Sequence, residues 1–437
     1  MKGIFVILDG VADEPCSALG EKTPLEFAKT PNLDYFASLG EVDYCYPIAE
    51  GVAPQSSSGI VSLLGGDFRD YSRGVLEAVG AGVSLKEGDL VLRCNFATID
   101  NLQNRKLIDR RVGRTITTKE VRELVNAVNE KVKLPFPFEL ISTIGHRAII
   151  VFRGNFSANI SNADPNYDSG LSVVNSSDKV PFSEPYDDSS SAKLAANLVN
   201  TFVQKSCVVL ANHSVNLKRE KKGLFPANFL LCRDAGNKVA EMRNLPGKWL
   251  GFGYMPLEIG IARAFGMEVS SFDYPEMKSI DSYEHLNEGL ELAVRKAIEA
   301  LKVNFSRYDY FYIHFKETDI PGHDNKPREK VKLIEFIDKE FFGFLRLFFQ
   351  EHSARLLVTA DHTTSCRAKS HTAHPVPVLF FDINMRAHVE SPQVLKKTQE
   401  LGDSGKIADS GKRFTEKDGL SGRRVEGRAL LKKTLLA

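Results

Sequence analysis

Three apolar runs along the chain end in the same way. GIFVILD (3–9) runs into Asp9, YFYIHFKETD (310–319) leads to Asp319, and RLLVTAD (355–361) delivers Asp361. Each has the unbroken hydrophobicity of a strand buried on both faces, since a half-exposed strand would alternate. Between them lie stretches such as HLNEGLELAVRKAIEAL (285–301), in which apolar residues recur at helical spacing. Strands alternating with helices predict an α/β fold on a doubly wound, mainly parallel sheet. In such sheets ligands bind beyond the carboxyl ends of the strands, so three acids far apart in sequence are expected to converge there.

At 437 residues, 43% hydrophobic and 26% charged, the chain is a globular protein long enough for two domains. Its start, MKGIFVILDG, holds one lysine and an apolar run too short for a signal-peptide core or a membrane span, so a cytoplasmic protein with no membrane partner is expected. Six scattered cysteines without a CxxC pair argue against a disulfide scaffold or a thiolate zinc site. The net charge is only +1, unevenly spread. Residues 89–239 carry 21 Lys/Arg against 15 Asp/Glu, a net +6, and the remainder 36 against 41, a net −5. This suits a division of labour between anion and cation binding. Nucleic acid is not an expected partner, because a dense basic stripe is absent. No oligomeric state is specified.

The acidic part supplies metal-binding chemistry. VTADHTTSCRAKSHTAHP (358–375) holds Asp361, His362, His371 and His374, and TDIPGHD (318–324) places His323 four residues after Asp319. Pro321 and Gly322 predict a tight loop there rather than a helical turn. Asp9, Asp319, His323, Asp361, His362 and His371 form a set large enough for two ions. Mixed oxygen and nitrogen donors suit Mn²⁺ or Zn²⁺ better than Ca²⁺ or Mg²⁺. APQSSSGIVSLLGG (53–66) predicts a loop, a serine cap, a short helix and a glycine stop. A helix start attracts phosphate, and a metal on a serine oxygen would make it a nucleophile. Spacing alone does not choose among Ser56, Ser57 and Ser58.

The basic segment interrupts the ligand set between Ser56 and Asp319. This predicts a discontinuous metal-binding domain, 1–88 plus 240–437, carrying an inserted α+β cap, 89–239. The densest basic run, NRKLIDRRVGR (104–114), contains Arg110, Arg111 and Arg114 with Asp109 among them. Arginine's planar fork matches phosphate and carboxylate, which makes these residues candidates for substrate binding, with Arg93, His146, Arg147 and Arg153 secondary. The Ser-, Asp- and Pro-rich stretch 162–191 predicts an exposed excursion.

Asp9, the serine loop, TDIPGHD, ADHTTS and KSHTAHPVP, in that order, resemble the alkaline phosphatase superfamily. More closely, the chain resembles the archaeal type of 2,3-bisphosphoglycerate-independent phosphoglycerate mutase. The likeness runs nearly end to end, through LDGVAD, TPLEFAKTPNLD, LEAVGAGVSL, RCNFATID, DRRVGR, HRAIIVFRG, FPANFLLCRDAG and RFTEKDG. It implies an alkaline-phosphatase-like fold and interconversion of 3- and 2-phosphoglycerate through a phosphoserine. It also implies two divalent ions, Mn²⁺ foremost with Co²⁺, Zn²⁺ or Mg²⁺ as substitutes, and no 2,3-bisphosphoglycerate. Ser56 takes the nucleophile's place, with Gln55 and Ser57 where the family usually has Gly and Asp. One ion falls to Asp319, His323 and His371, the other to Asp9, Ser56, Asp361 and His362. His374 stands where Asp is usual and is read as a supporting or neutral residue. DYPEMKSIDSYEH (273–285) is similar to the longer independent mutases and makes Lys278 a phosphate contact. The alternatives are a phosphatase, a mutase of another small phosphoester, and a non-catalytic relative that binds metal or phosphate.

Overall fold

A computed structural model describes residues 1–168, 171–172, 178–238, 243–276, 282–384 and 411–437. Lys278 lies outside them.

The three acid-tipped runs are adjacent strands of one eight-stranded sheet. Lys2–Leu8 lies between Tyr310–Phe315 and Ala354–Thr359 and pairs parallel with both, Ile7 standing opposite His314 on one side and Thr359 on the other. Trp249–Phe252 and Glu268–Ser270 extend the sheet beyond Tyr310–Phe315, and Val376–Asp382, Glu41–Tyr46 and Arg424–Glu426 extend it beyond Ala354–Thr359. Only Val376–Asp382 runs against the rest, as expected for a mainly parallel sheet. Every residue of the central strand after Lys2 is buried, which explains its unbroken hydrophobicity. The helical pattern at 285–301 lies within the helix Ser282–Asn304.

A second, wholly antiparallel sheet is built from the basic segment. Leu90–Ile99 pairs with Leu107–Asp109, Arg147–Phe152 and Phe229–Gly236, and Phe138–Ser142 adds to Arg147–Phe152. Its core is separate and includes the inner faces of the helices Thr118–Lys131 and Ser190–Ala211. The latter is the one helix among the described residues long and apolar enough to cross a membrane, but half of that span is buried in this core.

Two local expectations change. TDIPGHD folds as a helical turn, Asp319–His323, rather than a loop. Pro321 falls in its first turn, where an N–H would have no intrahelical acceptor, so proline does not break it, and the i, i+4 spacing brings Asp319 and His323 to one face. The helix Ser56–Leu63 is capped by Gln55, not by a serine. Ser58 Oγ accepts from the Gln55 N–H and donates to its carbonyl, both at 3.0 Å. Gly59 lets this helix press on the end of the third acid-tipped strand, since a Cβ there would stand 2.2 Å from the Asp361 carbonyl oxygen.

The helix Arg73–Gly80 joins the two sheets. Val75 and Ala78 pack with Val91, Ile149 and Val151 of the small sheet, and its other side meets Pro256–Ala264 backbone to backbone. A Cβ on Gly80 would lie 1.7 Å from the Pro256 carbonyl oxygen, and one on Gly260 would lie 1.8 Å from that of Leu76. Backbone cannot rotate away as a side chain can. Gly260→Ala should therefore destabilise the protein by about 1–3 kcal/mol or more, read as a lower thermal or urea unfolding midpoint. An unchanged midpoint would contradict this packing.

Candidate active site

Beyond the strand ends, Asp9, Asp361 and Asp319 meet the imidazoles. His362 Nε2 lies 3.1 Å from Ser56 Oγ, 3.3 Å from Asp361 Oδ2 and 3.5 Å from Asp9 Oδ1. On the other side, Asp319 stands 3.5 Å from His323 Nε2 and 3.6 Å from His371 Nε2. The His362 and His371 rings stack at 3.6 Å. The Nδ1 atoms of His323 and His371 face the carbonyls of Lys369 (3.0 Å) and Pro54 (2.7 Å). A carbonyl only accepts, so each Nδ1 carries a proton and each Nε2 is turned toward the carboxylates, where a metal ion would meet it. Burial holds His323 near a pKa of about 3 and also lowers that of His362, so both are neutral.

Two groups here were hidden within the apolar run of the 310–315 strand and its end. Lys316 Nζ donates to Ser56 Oγ at 3.0 Å and contacts Asp9 Oδ2, and His314 Nε2 lies 2.8 Å from that same oxygen. Burial opposes the Lys316 charge, but Asp9 and Glu258 outweigh it and the ammonium persists. Burial would raise Asp9, yet Lys316 and His314 hold it below the usual carboxylate range. Asp361 goes the other way, burial and the Asp9 charge raising it to about 7.

The small sheet brings its cations to the same place. A recess lined by Ser56, Lys316, Asp319, His323 and His371 is closed by Arg73, Arg93, Arg110, Arg111, Arg147, Arg233, Asn95, His146 and Tyr167. It shares Arg110, Arg111, Tyr167, His323 and His371 with a cleft of about 580 Å³. Most of the guanidinium groups are already paired: Arg93 with Glu77 (3.0 Å), Arg73 with Glu77 (2.8 Å), Arg110 with Asp164 (2.6 Å), Arg233 with Asp234 (2.9 Å), and Arg114 at the cleft with Asp324 (3.2 Å). Arg111 and Arg147 make no ion pair among the described residues. Burial and the neighbouring Arg114 lower Arg111 to about 10, as befits a cation awaiting an anion.

Residues 37–216 match the family model described as 2,3-bisphosphoglycerate-independent phosphoglycerate mutase, and residues 260–416 match the metalloenzyme superfamily. The mutase of that name from Thermococcus kodakarensis is 36% identical over 397 residues, covering 89% of this chain and 90% of its own. The one from Aeropyrum pernix is 38% identical over 401 residues, covering 87% and 90%. Among solved structures, the cofactor-independent phosphoglycerate mutase of Thermoplasma acidophilum is 27% identical with a TM-score of 0.54, covering 100% of this chain and 99% of its own. A Pyrococcus horikoshii protein reaches a TM-score of 0.69 at 26% identity, covering 99% and 96%. The chain belongs to the 2,3-bisphosphoglycerate-independent phosphoglycerate mutase family.

For a mutase of this family the donors fit divalent metal. Asp319, His323 and His371 offer ligand atoms within 4.8 Å of one another, as do Asp9, Asp319 and His362, and also Asp9, His314 and Asp361. Asp9 Oδ1 and Asp361 Oδ2 are buried without a hydrogen bond among the described residues and face His362 Nε2, and such orphaned carboxylate oxygens are suited to a cation.

Not every expected residue of the mutase reaches the recess. Asp109 Oδ1 accepts from the N–H groups of Arg111 (2.8 Å) and Gly113 (2.7 Å), so it shapes the loop that presents the arginines. Arg153 instead pairs with Asp89 (2.8 Å) and Glu139 (3.2 Å) and lines neither the recess nor the cleft. His374 is exposed, with Glu14 3.9 Å away. Arg73, Arg233, Asn95, Tyr167, His314 and Lys316 were not expected. RCNFATID holds a usable signal, because Arg93 and Asn95 alternate on one face of a strand, and Arg233 of FPANFLLCRDAG lies opposite Arg93.

Without metal, Asp361 titrates above its unfolded value of 3.8, so the folded state holds an extra proton and loses stability as pH rises from about 4 to about 7. A divalent ion at a hundred times its Kd should add about 2.7 kcal/mol per site. Calorimetry of chelator-stripped protein should show unfolding temperature rising on Mn²⁺ addition. Asp361→Asn should shrink that rise without lowering the ion-free value. No response to the ion would contradict the assignment.

Proposed function

We propose that the chain interconverts 3-phosphoglycerate and 2-phosphoglycerate by carrying the phosphoryl group on Ser56, with residues 89–239 acting as the cap that retains glycerate. Two divalent ions are assigned, one to Asp319, His323 and His371 and the other to Asp9, Ser56, Asp361 and His362. Mn²⁺ suits the mixed donors best, with Co²⁺, Zn²⁺ or Mg²⁺ as substitutes, and 2,3-bisphosphoglycerate is not required. The observation that carries this reading is the position of Ser56 Oγ. It meets His362 Nε2 and Lys316 Nζ at 3.1 and 3.0 Å, inside a recess lined by arginines of the small sheet. Ser57 and Ser58 line a different cavity, and Ser58 is engaged with Gln55. Gln55, in place of the usual glycine, accepts from Arg233 at 2.7 Å and so ties the serine loop to the small sheet.

Divalent ions at these donors would lower the pKa of the serine hydroxyl and neutralise charge on the phosphoryl oxygens. Lys316, being protonated, serves as a hydrogen-bond donor to the Ser56 oxygen as negative charge develops there. In the first half-reaction the phosphorus–Oγ bond forms, the bond from phosphorus to the substrate's C3 oxygen breaks, and that oxygen gains a proton for the one Ser56 gives up. In the second, the 2-hydroxyl of the retained glycerate attacks phosphorus, the bond to Oγ breaks and Ser56 regains its proton. Arg111 and Arg147 are the cations assigned to the glycerate and phosphate between the two halves.

Ser56→Ala should lower turnover by about three orders of magnitude or more in an enolase-coupled assay. Arg111→Ala removes a charge-assisted contact of about 1.5–3 kcal/mol, about ten- to a hundredfold, and should raise phosphate release relative to isomerisation by that factor. Arg153→Ala should leave the ratio within about twofold, as for surface changes generally. Equal loss of both in the Arg111 variant would assign Arg111 to initial phosphate binding instead, and phosphate release without 2-phosphoglycerate from the wild type would sink the mutase reading.

A further inference from the structure

The three candidate metal-binding imidazoles differ in what receives their Nδ1 proton. His323 and His371 face backbone carbonyls, whereas His362 Nδ1 faces the side chain of Thr364 at 3.0 Å. The Thr364 hydroxyl also lies 2.7 Å from Asp319 Oδ1. A carboxylate oxygen accepts, so the hydroxyl donates to Asp319. With its one proton committed, the hydroxyl can only accept from His362. The chain His362 Nδ1–H to Thr364 Oγ–H to Asp319 Oδ1 therefore runs in one direction and leaves His362 Nε2 free toward Ser56, Asp9 and Asp361.

Thr364 has little freedom to do otherwise. It is wholly buried, its N–H donates to the Ala12 carbonyl at 3.0 Å, and its own carbonyl accepts from Lys330 Nζ at 2.9 Å. Gly10, at φ +55°, makes room for the link, because a Cβ there would stand 2.3 Å from Thr364 Oγ1 and 2.8 Å from Asp319 Oδ1. The backbone on both sides thus holds this hydroxyl between two ligand sets.

We infer that Thr364 is a positioning residue shared by both metal sites, its hydroxyl orienting His362 for one ion and Asp319 for the other, so that filling either site prepares its neighbour. This rests on the two-ion reading above. A hydrogen-bond partner behind one ligand ordinarily affects one ion, whereas this one should affect both, and linkage makes the coupling reciprocal.

The test is Mn²⁺ uptake by the chelator-stripped full-length chain, followed through the paramagnetic resonance signal of free Mn²⁺. The wild type should take up two ions per chain with a Hill coefficient above one. Thr364→Ala should weaken both ions by about ten- to a hundredfold, the usual effect of losing such a partner, and lower the Hill coefficient. Thr364→Ser should return both affinities to near the wild-type values. Thr364→Cys, similar in size but a weak hydrogen-bond former, repeats the test if circular dichroism shows the alanine variant unfolded. Wild-type uptake by the alanine or cysteine variant, or loss confined to one ion, would overturn the inference. Uptake of a single ion by the wild type would instead overturn the two-ion reading and this inference with it.

Discussion

Parallel pairing of Lys2–Leu8 with Tyr310–Phe315 on one side and Ala354–Thr359 on the other is the constraint on which the site depends. Ile7 stands level with both His314 and Thr359, so Asp9, Lys316 and Asp361 leave the sheet at nearly the same height. A one-residue slip of the central strand would turn its side chains to the opposite face and remove Asp9 from the cluster. Burial on both faces makes such a slip costly, and the hydrophobic strand interior thereby fixes the polar chemistry at its end.

That convergence creates an electrostatic problem. Asp9, Asp361 and Glu258 are buried around one buried ammonium, Lys316, and neither Glu258 oxygen has a hydrogen bond among the described residues. Glu258 Oε1 is 4.0 Å from both Lys316 Nζ and His314 Nε2. Buried charge is tolerated only when compensated, and a divalent ion held by Asp9 and Asp361, as proposed above, would supply the remaining compensation. The small sheet has the opposite excess, with paired arginines packed around Arg111 and Arg147, which have no ion pair among the described residues. The recess between them favours a ligand that is both phosphorylated and carboxylated.

The sequence discloses what depends on strand ends and little of what depends on register. Asp9, Asp319 and Asp361 were legible because each closes an apolar run. Lys316 and His314 were masked by the same run, since a two-face-buried strand gives no alternation by which a polar residue could be assigned to a face. Arg233 reaches the recess through pairing of its strand with Leu90–Ile99, and Arg73 from the start of the helix packed between the two sheets, neither of which a local pattern encodes. Arg147 and Arg153, six residues apart, share a face by parity, but a strand advances about 3.3 Å per residue, so they lie about 20 Å apart and only Arg147 lines the recess that holds Ser56. The helical turn at Asp319–His323 was obscured because proline was read as a breaker in a segment too short to be broken.

The central claim is that Ser56, set by the large sheet, carries the phosphoryl group while the small sheet holds glycerate. Its most direct test is rapid acid quench of the Mn²⁺-loaded protein during turnover of 3-phosphoglycerate labelled in the phosphate, followed by mapping of labelled peptides. The account predicts a transient phosphoserine at Ser56 whose label passes into 2-phosphoglycerate. Label on Ser57 or Ser58, or isomerisation without any phosphoenzyme, would contradict it.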